Sequence, residues 1–243
     1  MPRTCAQKFK AVVRLWQVRR WRLNVKERIV NWLRELKEKG VPTEVVGFYQ
    51  ELPIRVKSKV LDFDDEFVQW ESEPKLCLAA AEGGKLFFNF FDPSYQENRL
   101  LGADVTYYGS SFVETTFPLP SSDPRFRRQS VRVITSNSLP VKLFLVGEEG
   151  EKRELTVRDV SEGGVGAIGE DGLLKVGQPV KVELVLPDGA LCLRGEVASV
   201  EPYEDKEKFG IRLFVKEKER KLLRNYVMAR QREILSKIRE IVG

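Results

Sequence analysis

The sequence has no histidine in 243 residues. That removes the commonest general base near neutral pH and the commonest metal ligand together, and it excludes a hydrolase of the usual Ser-His-Asp kind. Cysteine is almost as scarce. Cys5, Cys77 and Cys192 are odd in number and far apart, which fits neither a zinc knuckle nor a paired disulfide framework. A reducing cytoplasm is the expected compartment. No stretch approaches the ~20 apolar residues of a membrane span, and the N-terminus carries cations without the apolar run of a secretory signal. A protein that neither crosses a membrane nor leaves by a signal peptide is expected.

What is present is charge, and it is unevenly placed. Charged residues make up 32% of the chain, against about 25% in an ordinary globular domain. Residues 1–28 hold nine cations against the single acid Glu27, a local +8 that leaves −3 for the rest of a chain whose net charge is +5. Local basic patches are therefore expected, rather than the uniform cationic surface of a nonspecific nucleic-acid coat. At this length the prior of roughly 100–200 residues per domain favours two domains.

Periodicity gives a mostly β chain with flanking helices. Phe9, Val12, Val13 and Trp16, then Val25, Ile29, Leu33 and Leu36, recur at three- and four-residue steps, so residues 1–40 read as a basic amphipathic helical segment ended by Gly40 and Pro42. Short β-branched or aromatic runs follow at Ile54–Leu61, Phe67–Trp70, Leu76–Leu78, Lys85–Phe91 and Val105–Tyr108, and predict a small antiparallel barrel or sandwich over 41–118, read as a barrel. Phe117–Pro124 carries three prolines and two serines in eight residues and breaks both periodicities, so 119–127 reads as a linker. Beyond it, strand-like runs at Val131–Ile134, Val141–Val146, Leu155–Val160, Val180–Leu186, Leu191–Val200 and Gly210–Val215 predict a second barrel, with Pro187-Asp188-Gly189 in a hairpin turn. A helix from Lys216 to Val242 closes a C-terminal domain of 128–243, its apolar stripe formed by Leu223, Val227, Ile234, Ile238 and Ile241.

Two clusters stand out in the second half, Arg127-Arg128-Gln-Ser-Val-Arg132 and Asp159-Val-Ser161-Glu-Gly163-Gly164. Guanidinium forks suit phosphate oxygens and the O6/N7 edge of guanine. A carboxylate suits the opposite guanine edge, whose N1–H and 2-amino group donate. Ser161 adds a small hydroxyl, and Gly163 and Gly164 let a flat ligand approach the backbone. The pair points to an anionic, guanine-bearing ligand. A second RxxxR, Arg220 and Arg224 on the closing helix, reads as a solvated face. Gly163-Gly164-Val-Gly166 lacks the order of a dinucleotide fingerprint.

In this arrangement, Arg128-x-x-x-Arg132 followed 27 residues later by Asp159-x-Ser161-x-x-Gly164, then a barrel and a helix, the chain resembles the PilZ domain, the bacterial receptor for cyclic di-GMP. Phe209-Gly-Ile-Arg-Leu-Phe resembles the family's last strand and Leu222-Leu223-x-x-Tyr226 its helix start. The resemblance implies that Arg128 and Arg132 clamp ligand phosphates and guanine edges while Asp159, Ser161, Gly163 and Gly164 hold a guanine. It also implies that a long cation at Arg127 accompanies two ligands per chain. In order and length, residues 25–118 are similar to the flagellar brake proteins.

The reading is thus a non-enzymatic cyclic di-GMP effector without a cofactor, converting occupancy into a change of domain orientation in motility or surface-behaviour control. Its expected partners are the ligand and a protein such as the flagellar motor, with the basic Trp-bearing N-terminus offering peripheral contact with an anionic membrane. The rival readings are a single-stranded nucleic-acid-binding barrel and a docking scaffold with a vestigial site. No specific nucleic acid is expected, because the second barrel offers just Phe144, Phe209 and Phe214 for base stacking.

Overall fold

The computed structural model describes residues 25–92 and 95–243. The part of the expected N-terminal helix before residue 25, with its basic cluster, lies outside the described residues. The chain divides into two compact units. Among the described residues, one comprises 25–49 together with Pro53–Asp123, and the other comprises the turn Gln50–Leu52 together with Pro124–Gly243.

The first unit begins with α1 (25–39), whose buried Val25, Ile29 and Leu33 lie at four-residue steps and so share one face. Gly40 ends it at a φ of 59°, a left-handed position that glycine occupies without a Cβ clash. Seven antiparallel strands follow: β1 (Thr43–Tyr49), β2 (Leu52–Ser58), β3 (Val60–Phe63), β4 (Phe67–Glu71), β5 (Lys85–Asp92), β6 (Glu97–Tyr108) and β7 (Phe112–Thr116). A short β8 (Leu119–Pro120) pairs with β6, so the front of the proline-rich stretch belongs to this sheet. The order β2-β1-β5-β6-β7-β4-β3 leaves β2 and β3 as edges, and the sheet curls into a half-barrel without closing. Pro53, Arg55 and Lys57 line the exposed positions of edge strand β2, where proline and cations block pairing with another chain.

Leu76–Leu78, expected as a strand, is instead part of α2 (Pro74–Gly83). The local chemistry explains the difference. Glu73 caps the helix by accepting a hydrogen bond from Leu76 N at 3.2 Å, Pro74 occupies the first turn, and Ala79-Ala80-Ala81 is a strong helix former. The helix seats closely on β1, where a Cβ at Gly47 would come within 2.5 Å of Ala79 Cβ. The core is aromatic. Trp70 stacks on Phe88 with centroids 4.4 Å apart and donates its indole N–H to Thr115 Oγ1 at 3.1 Å, while Trp32 meets Phe90 edge-on at 5.6 Å.

The second unit opens with a 3₁₀ turn (Pro124–Arg127) and contains β9 (Arg132–Ile134), β10 (Lys142–Val146), β11 (Lys152–Ser161), β12 (Gly164–Gly169), β13 (Pro179–Leu186), β14 (Gly189–Tyr203) and β15 (Lys206–Phe214), then α3 (Glu217–Val242). The order β10-β13-β14-β15-β12-β11, closed by β10 pairing with β11, makes a six-strand antiparallel barrel, with β9 added alongside β11. The strand β12, Gly-Val-Gly-Ala-Ile-Gly, had no strand signal in the sequence because glycine weakens it. Its glycines answer to packing: a Cβ at Gly164 would meet Ile211 O at 2.7 Å, and one at Gly166 would meet Asp159 Oδ2 at 2.5 Å. Pro187 and Asp188 form the predicted hairpin turn, while Gly189, expected in the turn, opens β14 and pairs with Leu186.

Helix α3 buries Leu223, Tyr226, Val227, Arg230, Ile234 and Ile238, whereas Ile241 is exposed. Tyr226 Oη donates to Leu139 O at 3.2 Å. Arg230, buried to 2% exposure, donates Nε to Ile134 O at 2.7 Å and Nη2 to Gln50 Oε1 at 2.8 Å, and its Nη1 lies 3.0 Å from Glu233. Glu233 also accepts from Ser138 at 2.6 Å and Ser136 at 3.2 Å. These bonds tie the helix to β9 and the loop after it, beside the motif strands.

Candidate ligand-binding cleft

The second sequence motif closes the β11–β12 hairpin. Ser161 pairs with Gly164 across a two-residue turn, and Asp159 pairs with Gly166 after a bulge between Val157 and Asp159. A bulge bends a strand and re-aims the side chains beyond it. Asp159 is 4% exposed, lies against Gly166 where any Cβ would displace it, and has Arg132 Nη1 at 3.6 Å. Ser161 Oγ donates to Gly164 O at 3.1 Å, so this hydroxyl also stabilises its own turn. Gly163 O accepts from Leu213 N at 2.9 Å, anchoring the turn to β15. A Cβ at Gly163 would meet nothing within 4 Å, so that side of the turn is open. Gly164 is different. The nearby Ile211 carbonyl accounts for it, and close strand packing rather than ligand approach is its first requirement.

The first motif enters from the 3₁₀ turn. Arg132 opens β9 opposite Ser161, which brings the two motifs together on adjacent strands. Arg128 is half-buried and donates Nη1 to the carboxylate of Glu51, so its guanidinium is already paired within this unit. Glu51 and Gln50 form a turn in which both have positive φ, 67° and 48°, a conformation two-residue hairpins favour and non-glycine residues adopt at some cost. Burial raises the Glu51 carboxyl pKa, but the Arg128 hydrogen bond and charge, with Arg125 and Arg158 beyond, outweigh it and hold the group below its ordinary value. Arg127 ends the 3₁₀ turn, exposed, and does not line the cleft described next.

Arg128, Arg132, Ser161, Gly163 and Gly164 line a single cleft of about 600 Å³, within the range typical of small-molecule sites. Its floor is the outer face of β14 and β15 at Ala198, Ser199 and Gly210, three small residues that leave room for a flat occupant. Asp159, buried beside Arg132, is not among the residues that line the cleft. Arg212, Phe214 and Arg220 also line the cleft. Sequence reasoning named none of the three as a site residue: it set Arg220 aside as a solvated helix face and counted Phe214 just among the barrel's few rings. No acidic side chain lines the cleft among the described residues. A larger depression of about 890 Å³ elsewhere on the barrel carries both signs of charge, at Glu148, Glu151, Arg153, Lys181 and Arg194, and shares just Phe214 with this one. Among the described residues no group of three or more His, Cys, Asp or Glu could hold a metal, and no helix is long and apolar enough to cross a membrane.

A closed antiparallel barrel with a C-terminal helix and an arginine arm set against an Asp-x-Ser-x-x-Gly hairpin defines the class. Residues 126–229 match the family model of the PilZ domain, and the second unit of this chain contains a PilZ domain. Solved structures similar over most of the chain include MrkH of K. pneumonia in complex with c-di-GMP (17% identity, TM-score 0.48, covering 87% of this chain and 96% of that one). Others are YcgR of Escherichia coli in complex with c-di-GMP (14%, 0.45, 88% and 93%) and the Bacillus subtilis inhibitor of motility MotI/DgrA (13%, 0.39, 79% and 97%). No curated protein matches the chain.

Proposed function

We propose that this chain is a cyclic di-GMP effector without enzymatic activity. The observation that carries the reading is the convergence of Arg128, Arg132, Ser161 and Gly163 on one acid-free cleft, with Asp159 at 3.6 Å from Arg132. The chemistry is complementary on both sides. Arginine forks take phosphodiester oxygens and the guanine O6/N7 edge, while the Asp159 carboxylate accepts from a guanine N1–H and 2-amino group. Gly163 offers an open backbone surface for a flat base.

Arg128 exchanges the Glu51 carboxylate for a ligand phosphate in this mechanism. Releasing the strained Gln50–Glu51 turn is the step that changes the domain orientation, biased by the ligand's preference for one state. Two ligands per chain, with Arg127 offsetting part of their four phosphate charges, are the proposed stoichiometry. The output is control of motility or surface behaviour through a protein partner such as the flagellar motor, in the cytoplasm or at the membrane surface.

Titration calorimetry of the full chain tests the reading. Cyclic di-GMP is expected to bind at micromolar affinity or tighter, with GMP giving no comparable signal. Equal affinity for both nucleotides, or a steeply salt-dependent preference for oligonucleotides, would overturn it.

A further inference from the structure

We propose that Arg212, Phe214 and Arg220 form a second ligand-binding wall, gripping the phosphodiester and guanine that the Arg128–Arg132 arm leaves uncovered; this rests on cyclic di-GMP being the occupant. The argument starts with β15. Phe209, Ile211 and Leu213 are buried in the barrel, so the period of two turns Gly210, Arg212 and Phe214 to the outer face. Glycine at 210 keeps that face low, and the two following outward residues rise beside it. Arg212 stands directly opposite Gly164 in the β12–β15 register, and the Leu213 N–H held by Gly163 O fixes both outward side chains relative to the motif turn. Arg220 reaches the same cleft from the first full turn of α3.

The state of the neighbouring arginines separates this wall from ordinary surface charge. Arg128 is held by Glu51 and Arg132 lies near Asp159. Arg224, one turn beyond Arg220, is held by both oxygens of Glu162, Nε at 3.2 Å and Nη2 at 3.1 Å. Arg212 and Arg220 have no carboxylate within ion-pair distance among the described residues, although Glu196 sits across from Arg212 in the β14–β15 register. Two uncompensated guanidinium groups thus share a cleft without acids, where an anion is the complement. Phe214 adds a ring that is 56% exposed, an aromatic face suited to stacking on a base.

The test is titration of the full chain with cyclic di-GMP in four variants at exposed positions, with thermal melting as the control of folding. Arg212→Met and Arg220→Met should each weaken binding about ten-fold, the scale of one charge-assisted hydrogen bond, and Phe214→Ala about five-fold through loss of stacking. Lys221→Met removes a positive charge from the same helix at an exposed position outside the cleft lining, and should change affinity less than two-fold. Binding within two-fold of the unmodified chain in the Arg212 and Arg220 variants, while Arg128→Ala abolishes it, would overturn the second wall and leave the cyclic di-GMP reading standing. Equal weakening by Lys221→Met would overturn it as a general field effect. No binding to the unmodified chain would remove both.

Discussion

In the first unit, the fully buried carboxylate of Asp92 lies 3.3 Å from Arg28 and 3.3 Å from Arg99, and Arg99 also covers the Tyr95 ring at 4.5 Å. In the second unit, Arg212 and Arg220 face a cleft with no acid on its lining. The same residue type therefore has opposite roles in the two halves. Guanidinium groups that enclose a buried carboxylate compensate its desolvation and hold the fold together, whereas those without a carboxylate keep their affinity for an incoming anion. The cores differ in parallel. The first is built on large rings, Trp70, Phe87, Phe88 and Phe90, and the second on Val133, Leu143, Val160, Leu184, Val197 and Ile211, with Phe209 alone among the fully buried rings.

The largest expected effect follows from the aromatic core. Trp70→Ala should cost about 3–5 kcal/mol, since it removes a fully buried stacked indole; urea unfolding measures it, and a loss under 1 kcal/mol would show that the stack is not what holds the first unit. Next comes Arg128→Ala in the second unit. Calorimetry should show cyclic di-GMP binding abolished, while thermal stability falls by about 1 kcal/mol at most because the side chain is partly exposed; unchanged binding would break the assignment of its arginines to ligand. Gly166→Ala sharpens the same point without touching a polar group. Its Cβ would stand 2.5 Å from Asp159 Oδ2, so affinity should drop about ten-fold as the carboxylate is pushed out of place, and full retention of binding would remove Asp159 from the site.

Two smaller effects depend on pH. Burial, with Glu233 adding to it and Arg230 opposing, pushes the Tyr226 phenol from 10.0 up to about 12. A folded value above the unfolded one means that this group's contribution to stability is complete below pH 10 and is lost as pH rises toward 12. Ultraviolet titration should show one tyrosine ionising late, in step with unfolding. Its appearance with the exposed tyrosines near 10 would refute the burial argument. Glu51 runs the other way. Its lowered value gives stability that is present above the ordinary 4.5 and lost as pH falls through the folded value. Glu51→Gln should therefore remove that acid-side dependence and, by freeing Arg128, tighten cyclic di-GMP binding about three-fold; weaker binding would mean that Glu51 positions Arg128 rather than competing for it.

How much was legible in the sequence depended on how local the signal was. The Asp159-x-Ser161-x-x-Gly164 hairpin is local, and the turn that carries it is built by neighbours in sequence, with Ser161 bonding to Gly164. The alternation of β2 and β15 and the stripe of α3 were equally plain, since periodicity reports burial directly. Leu76–Leu78 misled because three apolar residues fit a strand or a buried helix equally well, and the deciding signals, Glu73 and Pro74, lie just upstream. The strand β12 was hidden because its glycines serve the strands packed on it. The Glu51 partner of Arg128 is 77 residues away in sequence, and no pattern along the chain announces it. Arg220 was set aside for a related reason: its exposure is plain in the helix pattern, but the cleft it faces is formed by other strands.

All four tryptophans, Trp16, Trp21, Trp32 and Trp70, precede residue 71, and the second unit has none. The stacked indole of Trp70 and the edge-on ring of Trp32 consequently make intrinsic fluorescence a reporter carried by one half of the molecule while the candidate cleft lies in the other. A shift in emission on adding cyclic di-GMP would register transmission rather than occupancy, and a calorimetric signal with silent emission would register occupancy without transmission. The protein thus comes with a natural optical label in the unit that does not hold the cleft, needing neither dye nor added residue.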